Sequence, residues 1–290
     1  MNALSLQNAI CTNWGKPDFI FSGLQAGDLG LISGGDGVGK SFLSDLLAAT
    51  AATGLAIGNI FTPPQDRGGV LIIKGEDRKA DHGRRIQGLV KQIDHDFNHI
   101  DFNNIKFDLI CLEGQRMPLA VKGLKCEPVL TDQYNKFVEI TAGYQLVIID
   151  PLIMFHTLDE DNIGMDFLGR SLIRAAFKNH QAIIAVHHSS QDSILNSRSD
   201  HHSGRGGTAL PAACRAVWTI RGMSKEEGKK FKLNEDERRE WKLIWNGKQS
   251  HGPESAGVWV KRDENGLLYK PTRGPGMESS FNGGNNDEWE

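Results

Sequence analysis

Apolar runs of strand length recur along the first two thirds of the chain: LGLIS (29–33), GVLIIK (69–74), IKFDLIC (105–111), YQLVIID (144–150) and AIIAVHH (182–188). Short continuous apolar runs bounded by Gly or polar residues suit strands that are covered on both faces. Between most of them lie longer stretches whose apolar residues recur at helical spacing, among them SFLSDLLAATAA and FLGRSLIRAAF. The alternation predicts βαβ units and therefore an α/β fold, a twisted, mostly parallel sheet flanked by helices. After AVWTIR (216–221) the pattern changes. The highly charged SKEEGKKFKLNEDERRE is followed by WKLIWNGK, GVWVKRD and GLLYKP, short runs separated by turn residues, which predict antiparallel C-terminal strands extending the sheet. The final RGPGMESSFNGGNNDEWE is poor in aliphatic residues and rich in Gly, Asn and acid. We therefore expect one main domain over residues 1–270 and a disordered acidic tail over 271–290. No internal repeat is visible.

A chain of 290 residues is long enough for one sizeable core. Its 33 Lys and Arg against 36 Asp and Glu exclude a generally basic protein that coats nucleic acid by bulk charge. Any such contact must come from a local patch or a ring lumen. Cys11, Cys111, Cys126 and Cys214 lie far apart and form no C-x-x-C pair, which points to reduced thiols rather than to zinc or a disulfide framework. The N-terminus has no basic region followed by an apolar stretch, and no segment reaches the roughly 18 apolar residues of a membrane helix. Cytoplasmic location without membrane contact is the expectation.

The clearest chemistry lies in LISGGDGVGKSFL. Gly34, Gly35, Asp36, Gly37, Val38, Gly39, Lys40 and Ser41 fit G-x-x-x-x-G-K-[ST], directly after a strand run and before a helical one. The glycines let backbone N–H groups turn inward around phosphate oxygens, and the helix N-terminus adds partial positive charge. Lys40 would reach the outer phosphates and Ser41 would complete a Mg²⁺ shell, so ATP and Mg²⁺ are the expected cofactors. Phe42, the next residue, is counted with the nucleotide-binding set. An apolar strand ending in Asp150 supplies a second metal partner of Walker B type. Hydrolysis also needs a carboxylate to orient water, and Glu76 in LIIKGEDR follows another strand run, with Asp77 beside it as the alternative. His187 and His188 end a strand where a His could hydrogen-bond a terminal phosphate. Together with His201 and His202 they lack the accompanying Cys or acidic spacing of a zinc site.

In order, the phosphate loop, GED, VIIDP, VHH with a polar loop, and RGGTALPAACRAVW resemble the RecA-like P-loop NTPases, and within them the plasmid RepA type of hexameric replicative helicase. The resemblance covers roughly residues 15 to 270. It implies that Lys40 and Ser41 hold nucleotide and Mg²⁺, Glu76 is the catalytic base, Asp150 the Walker B acid and His188 a phosphate sensor at the head of a DNA-facing loop. It also implies that Arg215 is an arginine finger acting in the neighbouring subunit's ATP site, and that Lys248 in NGKQSHGP approaches the same phosphates. Arg85 matches a recurrent arginine of the family without an assigned role, and Arg205 is either a helix-terminal residue or a DNA contact. The implied partners are further copies in a hexameric ring, single-stranded DNA, and a replication initiator or loader. Of two loops expected to line a channel, the one after Asp150 is acidic, whereas the one after His188 carries Arg198 and Arg205 and better suits a single strand. Residues 112–143 match nothing. The rivals are a RecA-like regulatory or recombination ATPase that does not unwind duplex, a P-loop transferase with Arg215 acting in cis, and a nonhydrolysing scaffold.

Overall fold

The computed structural model describes residues 3–14, 19–21, 23–64, 66–93, 102–188, 208–250, 257–263, 266–272 and 274–275. In chain order the elements are helix α1 (Leu6–Cys11), strands β1 (Phe19–Phe21), β2 (Leu24–Gln25) and β3 (Leu29–Gly34), and helix α2 (Lys40–Thr53). There follow β4 (Val70–Lys74), α3 (Lys79–Ile93), β5 (Phe107–Cys111), β6 (Ala120–Lys122), β7 (Pro128–Leu130), α4 (Asp132–Ile140), β8 (Leu146–Asp150), α5 (Asn162–Asn179) and β9 (Ala182–His188). The chain closes with α6 (Ala209–Ala213), β10 (Ala216–Gly222), α7 (Lys225–Lys230), α8 (Glu235–Glu240), β11 (Trp241–Gln249), β12 (Val258–Arg262) and β13 (Leu268–Tyr269).

Nine strands form one sheet in the order β13-β12-β11-β10-β3-β9-β8-β4-β5. From β10 to β5 every pair is parallel, and β11, β12 and β13 extend the sheet antiparallel beyond β10, as the pattern predicts. Side chains alternate across a pleated strand. Val70 and Ile72 of β4, with Leu146 and Ile148 of β8, therefore enter the core beneath α2, while Leu71, Ile73, Val147 and Ile149 enter the core shared with α4 and α5. Helix α2 is buried over most of its circumference, from Leu43 to Ala52, which explains its nearly continuous apolar and small-residue sequence. It ends at Gly54, whose φ of 71° is left-handed and whose N–H closes on Thr50 O.

Two stretches with no clear prior assignment acquire structure. The charged segment after β10 folds into α7 and α8, each opened by a reciprocal capping box, Ser224 with Glu227 and Asn234 with Glu237. Arg221 grips Glu227 through two 2.7 Å hydrogen bonds and fastens this hairpin of helices to the sheet. Within residues 112–143, the β6–β7 hairpin and α4 cross over the ends of β4 and β8. Leu112 N–H donates to Lys74 O, Gly114 N–H to Gly75 O, Met117 N–H to Met154 O and Leu119 N–H to Phe155 O, at 2.7 to 3.0 Å. Among the described residues no helix is long and apolar enough to cross a membrane.

Candidate active site

In the parallel part of the sheet the strands run the same way, so Gly34, Lys74, Asp150 and His188 all end at one edge. Strands β9 and β8 lie between β3 and β4, so the chain leaves β3 through α2 and re-enters the sheet beyond two intervening strands. Ligands bind outside the carboxyl ends of strands at such a switch point. The phosphate loop occupies it. Gly37 and Gly39 have φ values of 69° and 108°, where a side chain is strained, and Gly34 lies so close to β10 that a Cβ there would stand 2.5 Å from Ile220 O. Helix α2 begins at Lys40 and its first internal hydrogen bond runs from Leu43 N–H to Gly39 O, leaving the N–H groups of Lys40, Ser41 and Phe42 at the helix mouth. These groups, with the open space beside Gly37, form a cradle that fits a polyphosphate.

Lys40 is folded back over this cradle. Its Nζ donates to Gly34 O at 3.0 Å and Gly35 O at 2.7 Å and lies 3.3 Å from His188 Nδ1. Burial pulls its pKa down, against the opposing charges of Asp36, Asp150 and Glu76. His188 Nδ1 is 2.6 Å from the exposed Asp36 carboxylate, and this hydrogen bond, with the imidazole's charge, holds Asp36 below its usual range. His187, the preceding residue, is buried instead.

Asp150 is 3 % exposed and sits beneath the first turn of α2. Burial acts to raise its pKa, but the Lys74 charge and hydrogen bond, joined by hydrogen bonds from Ser44 and Ser41, outweigh it and hold the carboxyl low. The contact between the Ser41 hydroxyl and an ionised Asp150 is the chemistry a Mg²⁺ site of this type requires. Among the described residues no three His, Cys, Asp or Glu side chains gather as a metal cage. A Mg²⁺ here would rest on Ser41, Asp150, water and the nucleotide's own oxygens.

The two acids of GED are separated by the fold. Asp77 takes a 2.6 Å hydrogen bond from Arg85 Nη1 and lies 3.5 Å from His82 Nε2. Glu76 is exposed and lines a cavity of about 910 Å³ with Arg78, Lys79, Ala80, Gly83 and Glu113. Phe42 lies between two guanidinium groups, with Arg85 Cζ 4.6 Å and Arg262 Cζ 4.9 Å from its ring centroid.

Arg215 and Lys248 are not at this edge. Arg215 precedes β10, donates its N–H to Leu29 O at the start of β3, and extends a half-exposed side chain to within 4.0 Å of Asp28 Oδ1. Lys248 pairs with Val217 and donates to Pro211 O and Ala212 O at 3.1 and 2.6 Å, so it caps α6. Burial lowers the Lys248 pKa, with the nearby Arg215 charge adding to the effect. The length of β3, roughly 17 Å at ~3.3 Å per residue, separates both residues from this chain's phosphate loop. Arg198, Arg205, His201 and His202 lie outside the described residues. The other loop expected at a channel, after Asp150, sends Leu152 and Phe155 into the core and is held by the segment before β6, while its acidic end from Asp159 to Asp161 is exposed.

A family model described as an AAA domain matches residues 16–193, more than half of the chain. The chain belongs to the AAA-domain family. Its fold is similar to a solved structure of an isolated ATPase domain, with a TM-score of 0.57 at 13% identity over 86% of each chain. It is also similar to a DnaB-like replicative helicase solved with regard to its interactions with primase, with a TM-score of 0.54 at 12% identity. That match covers 84% of this chain and 57% of the helicase, so the chain spans somewhat more than half of that protein's length. The architecture of this AAA domain is therefore the RecA-like P-loop ATPase fold.

The site of this AAA domain contains groups that motif reading overlooked. Lys74, Asp45 and Ser44 surround Asp150, and His82 and Arg85 continue the cluster toward Asp77. A signal existed: Lys74 closes an otherwise apolar strand run, and Asp45 interrupts an otherwise apolar helix. Charges in such positions are buried only when paired.

Proposed function

We propose that this protein is an ATP-driven DNA motor, a replicative helicase of the plasmid RepA type. It would work as a ring of copies, most simply a hexamer, that moves on single-stranded DNA. The observation that carries this reading is the division of one catalytic set between two edges of the sheet. Lys40, Ser41, Glu76, Asp150 and His188 converge at the carboxyl edge, whereas Arg215 and Lys248 stand at the other edge, beyond reach of the same nucleotide. A site that draws on both needs a second copy.

In this reading ATP supplies the phosphoryl group and Mg²⁺ neutralises its charge. The chain's residues do the rest. Lys40 leaves the Gly34 and Gly35 carbonyls to hold the outer phosphates, and Ser41 and Asp150 hold the metal. Glu76 orients water and takes its proton. His188, released from Asp36, contacts the terminal phosphate and passes its loss to the following segment, which carries Arg198 and Arg205 to the strand. The neighbour's Arg215, with Lys248 beside it, stabilises charge on the transferred group, an effect that reaches about 10³-fold or more in such sites. The likeness to a helicase that interacts with primase supports placing the protein at a replication fork, with a separate initiator or loader.

ATP hydrolysis with and without single-stranded DNA, followed together with mass in solution, tests this directly. Strand-stimulated turnover by a species near six copies is expected. Inactive Lys40→Ala and Arg215→Ala proteins should regain part of their activity when mixed, because one donates the finger and the other the phosphate loop. A monomer that hydrolyses ATP without response to DNA, and mixtures without recovery, would overturn the motor. Stimulation without separation of a forked duplex would favour the regulatory or recombination ATPase.

A further inference from the structure

We infer that Lys74 is a positioning residue for the Walker B carboxylate: its ammonium group orients Asp150 from beneath and ties it, through Asp45, to the segment that carries Glu76. The inference rests on the ATPase reading above and goes beyond it, since neither the motif nor the likeness assigns Lys74 a part.

The register makes the contact possible. Lys74 and Asp150 are the last residues of neighbouring parallel strands and are directly paired. Each falls in the alternation that sends Val70, Ile72, Leu146 and Ile148 under α2, so both side chains enter the layer below the phosphate loop. Helix α2 meets them there with Ser44 and Asp45, one turn beyond Ser41. The Lys74 Nζ stands 2.6 Å from Asp150 Oδ2, 2.7 Å from Asp45 Oδ1 and 2.8 Å from Ser44 Oγ. An ammonium group has three N–H donors, and here three oxygens surround it. Lys74, Asp45 and Asp150 are exposed by only 2 %, 1 % and 3 %.

This arrangement commits the two oxygens of Asp150 differently. Oδ2 is taken by Lys74 and Ser44, which leaves Oδ1 free of the lysine. A carboxylate pinned through one oxygen cannot rotate away when the nucleotide departs. From Asp45 the cluster continues outward, since Oδ2 lies 3.7 Å from His82 Nδ1 and 3.9 Å from Arg85 Nη1, and Arg85 in turn binds Asp77 at 2.6 Å. The residue before Asp77 is Glu76. Partners that orient a metal-holding group typically matter by about 10–100-fold in metal affinity or activity.

Removing Lys74 alone would strand two buried carboxylates, so the decisive comparison is Asp45→Asn against Asp45→Asn/Lys74→Met, in which Asp150 is the single buried carboxylate left without its lysine. Binding of a fluorescent ATP analogue is measured in EDTA and across a Mg²⁺ titration, alongside kcat and KM, with folding checked by circular dichroism. The double variant should bind nucleotide in EDTA within about 3-fold of Asp45→Asn. It should need about 10–100-fold more Mg²⁺ to reach the tight state, with the loss in turnover appearing in kcat. Lys74→Arg keeps the charge but replaces a compact donor by a planar fork, and should shift the Mg²⁺ titration in the same direction. A folded double variant or Lys74→Arg protein with wild-type Mg²⁺ dependence and kcat would overturn the inference and leave Lys74 as a counter-charge for Asp45 alone. A wild-type protein that neither binds nor hydrolyses ATP would instead sink the ATPase reading on which the inference stands.

Discussion

Acidification from pH 7 to pH 5 should destabilise the protein by about 2 kcal/mol through a single side chain, His187. The residue is 8 % exposed near the end of β9, and burial, with the neighbouring charges of His188 and Lys40, pushes its pKa down from 6.5 to about 4. In the unfolded chain the imidazole takes a proton near its ordinary value, whereas in the folded chain it stays neutral until about pH 4. Over that interval the unfolded state binds more protons, so stability is intact above the unfolded pKa and is lost as pH falls toward the folded one. Each tenfold step in proton concentration is worth about 1.4 kcal/mol. The whole interval amounts to about 3 kcal/mol, of which about 2 kcal/mol is gone by pH 5. For a chain of this size the change corresponds to a melting temperature lower by about 4–8 °C. Urea unfolding at both pH values, for the wild type and for His187→Gln, isolates the effect, because glutamine does not titrate and the other acid-sensitive groups, the buried His156 among them, are common to both proteins. A His187→Gln protein that loses as much stability as the wild type between pH 7 and pH 5 would refute the assignment.

The remaining expectations concern the nucleotide site. Glu76→Gln should keep ATP affinity within about 3-fold while slowing hydrolysis by about 10²-fold or more. Asp77→Asn, which breaks the pair with Arg85, should cost at most about 1 kcal/mol of stability and leave chemistry largely intact; equal losses of turnover in both would remove the distinction between the two acids. Gly34→Ala must move the phosphate loop away from β10, since the new Cβ meets Ile220 O at 2.5 Å. A loss of about 1–3 kcal/mol in thermal unfolding together with weaker ATP binding is expected, and an unchanged melting curve would contradict the close contact.

Much of the scaffold was legible because it rests on local patterns. Apolar runs of the right length became β3, β4, β5, β8 and β9 with ends within about two residues of their sequence bounds, and the turn-separated runs after residue 240 became the antiparallel extension. The capping boxes of α7 and α8 were present as S-x-x-E and N-x-x-E in a stretch whose charge drew attention away from them. The β6–β7 hairpin was illegible for a different reason: its short strands pair with each other while the segment before it bonds to the residues after Asp150, and such partners are distant in sequence.

The sequence by itself determined which chemical groups stand at the ends of the strands. A phosphate loop, an aspartate after an apolar strand, a glutamate after another and a histidine pair follow from spacing alone, because those signals are carried by residues adjacent in the chain. Only the tertiary structure decided which of these groups meet. The register of β4 against β8 set Lys74 opposite Asp150, Arg85 engaged Asp77 and left Glu76 facing the cavity, and the parallel run of β10 beside β3 carried Arg215 to the far edge. Strand order, register and direction are settled by burial of whole faces between distant segments, and no local pattern encodes them.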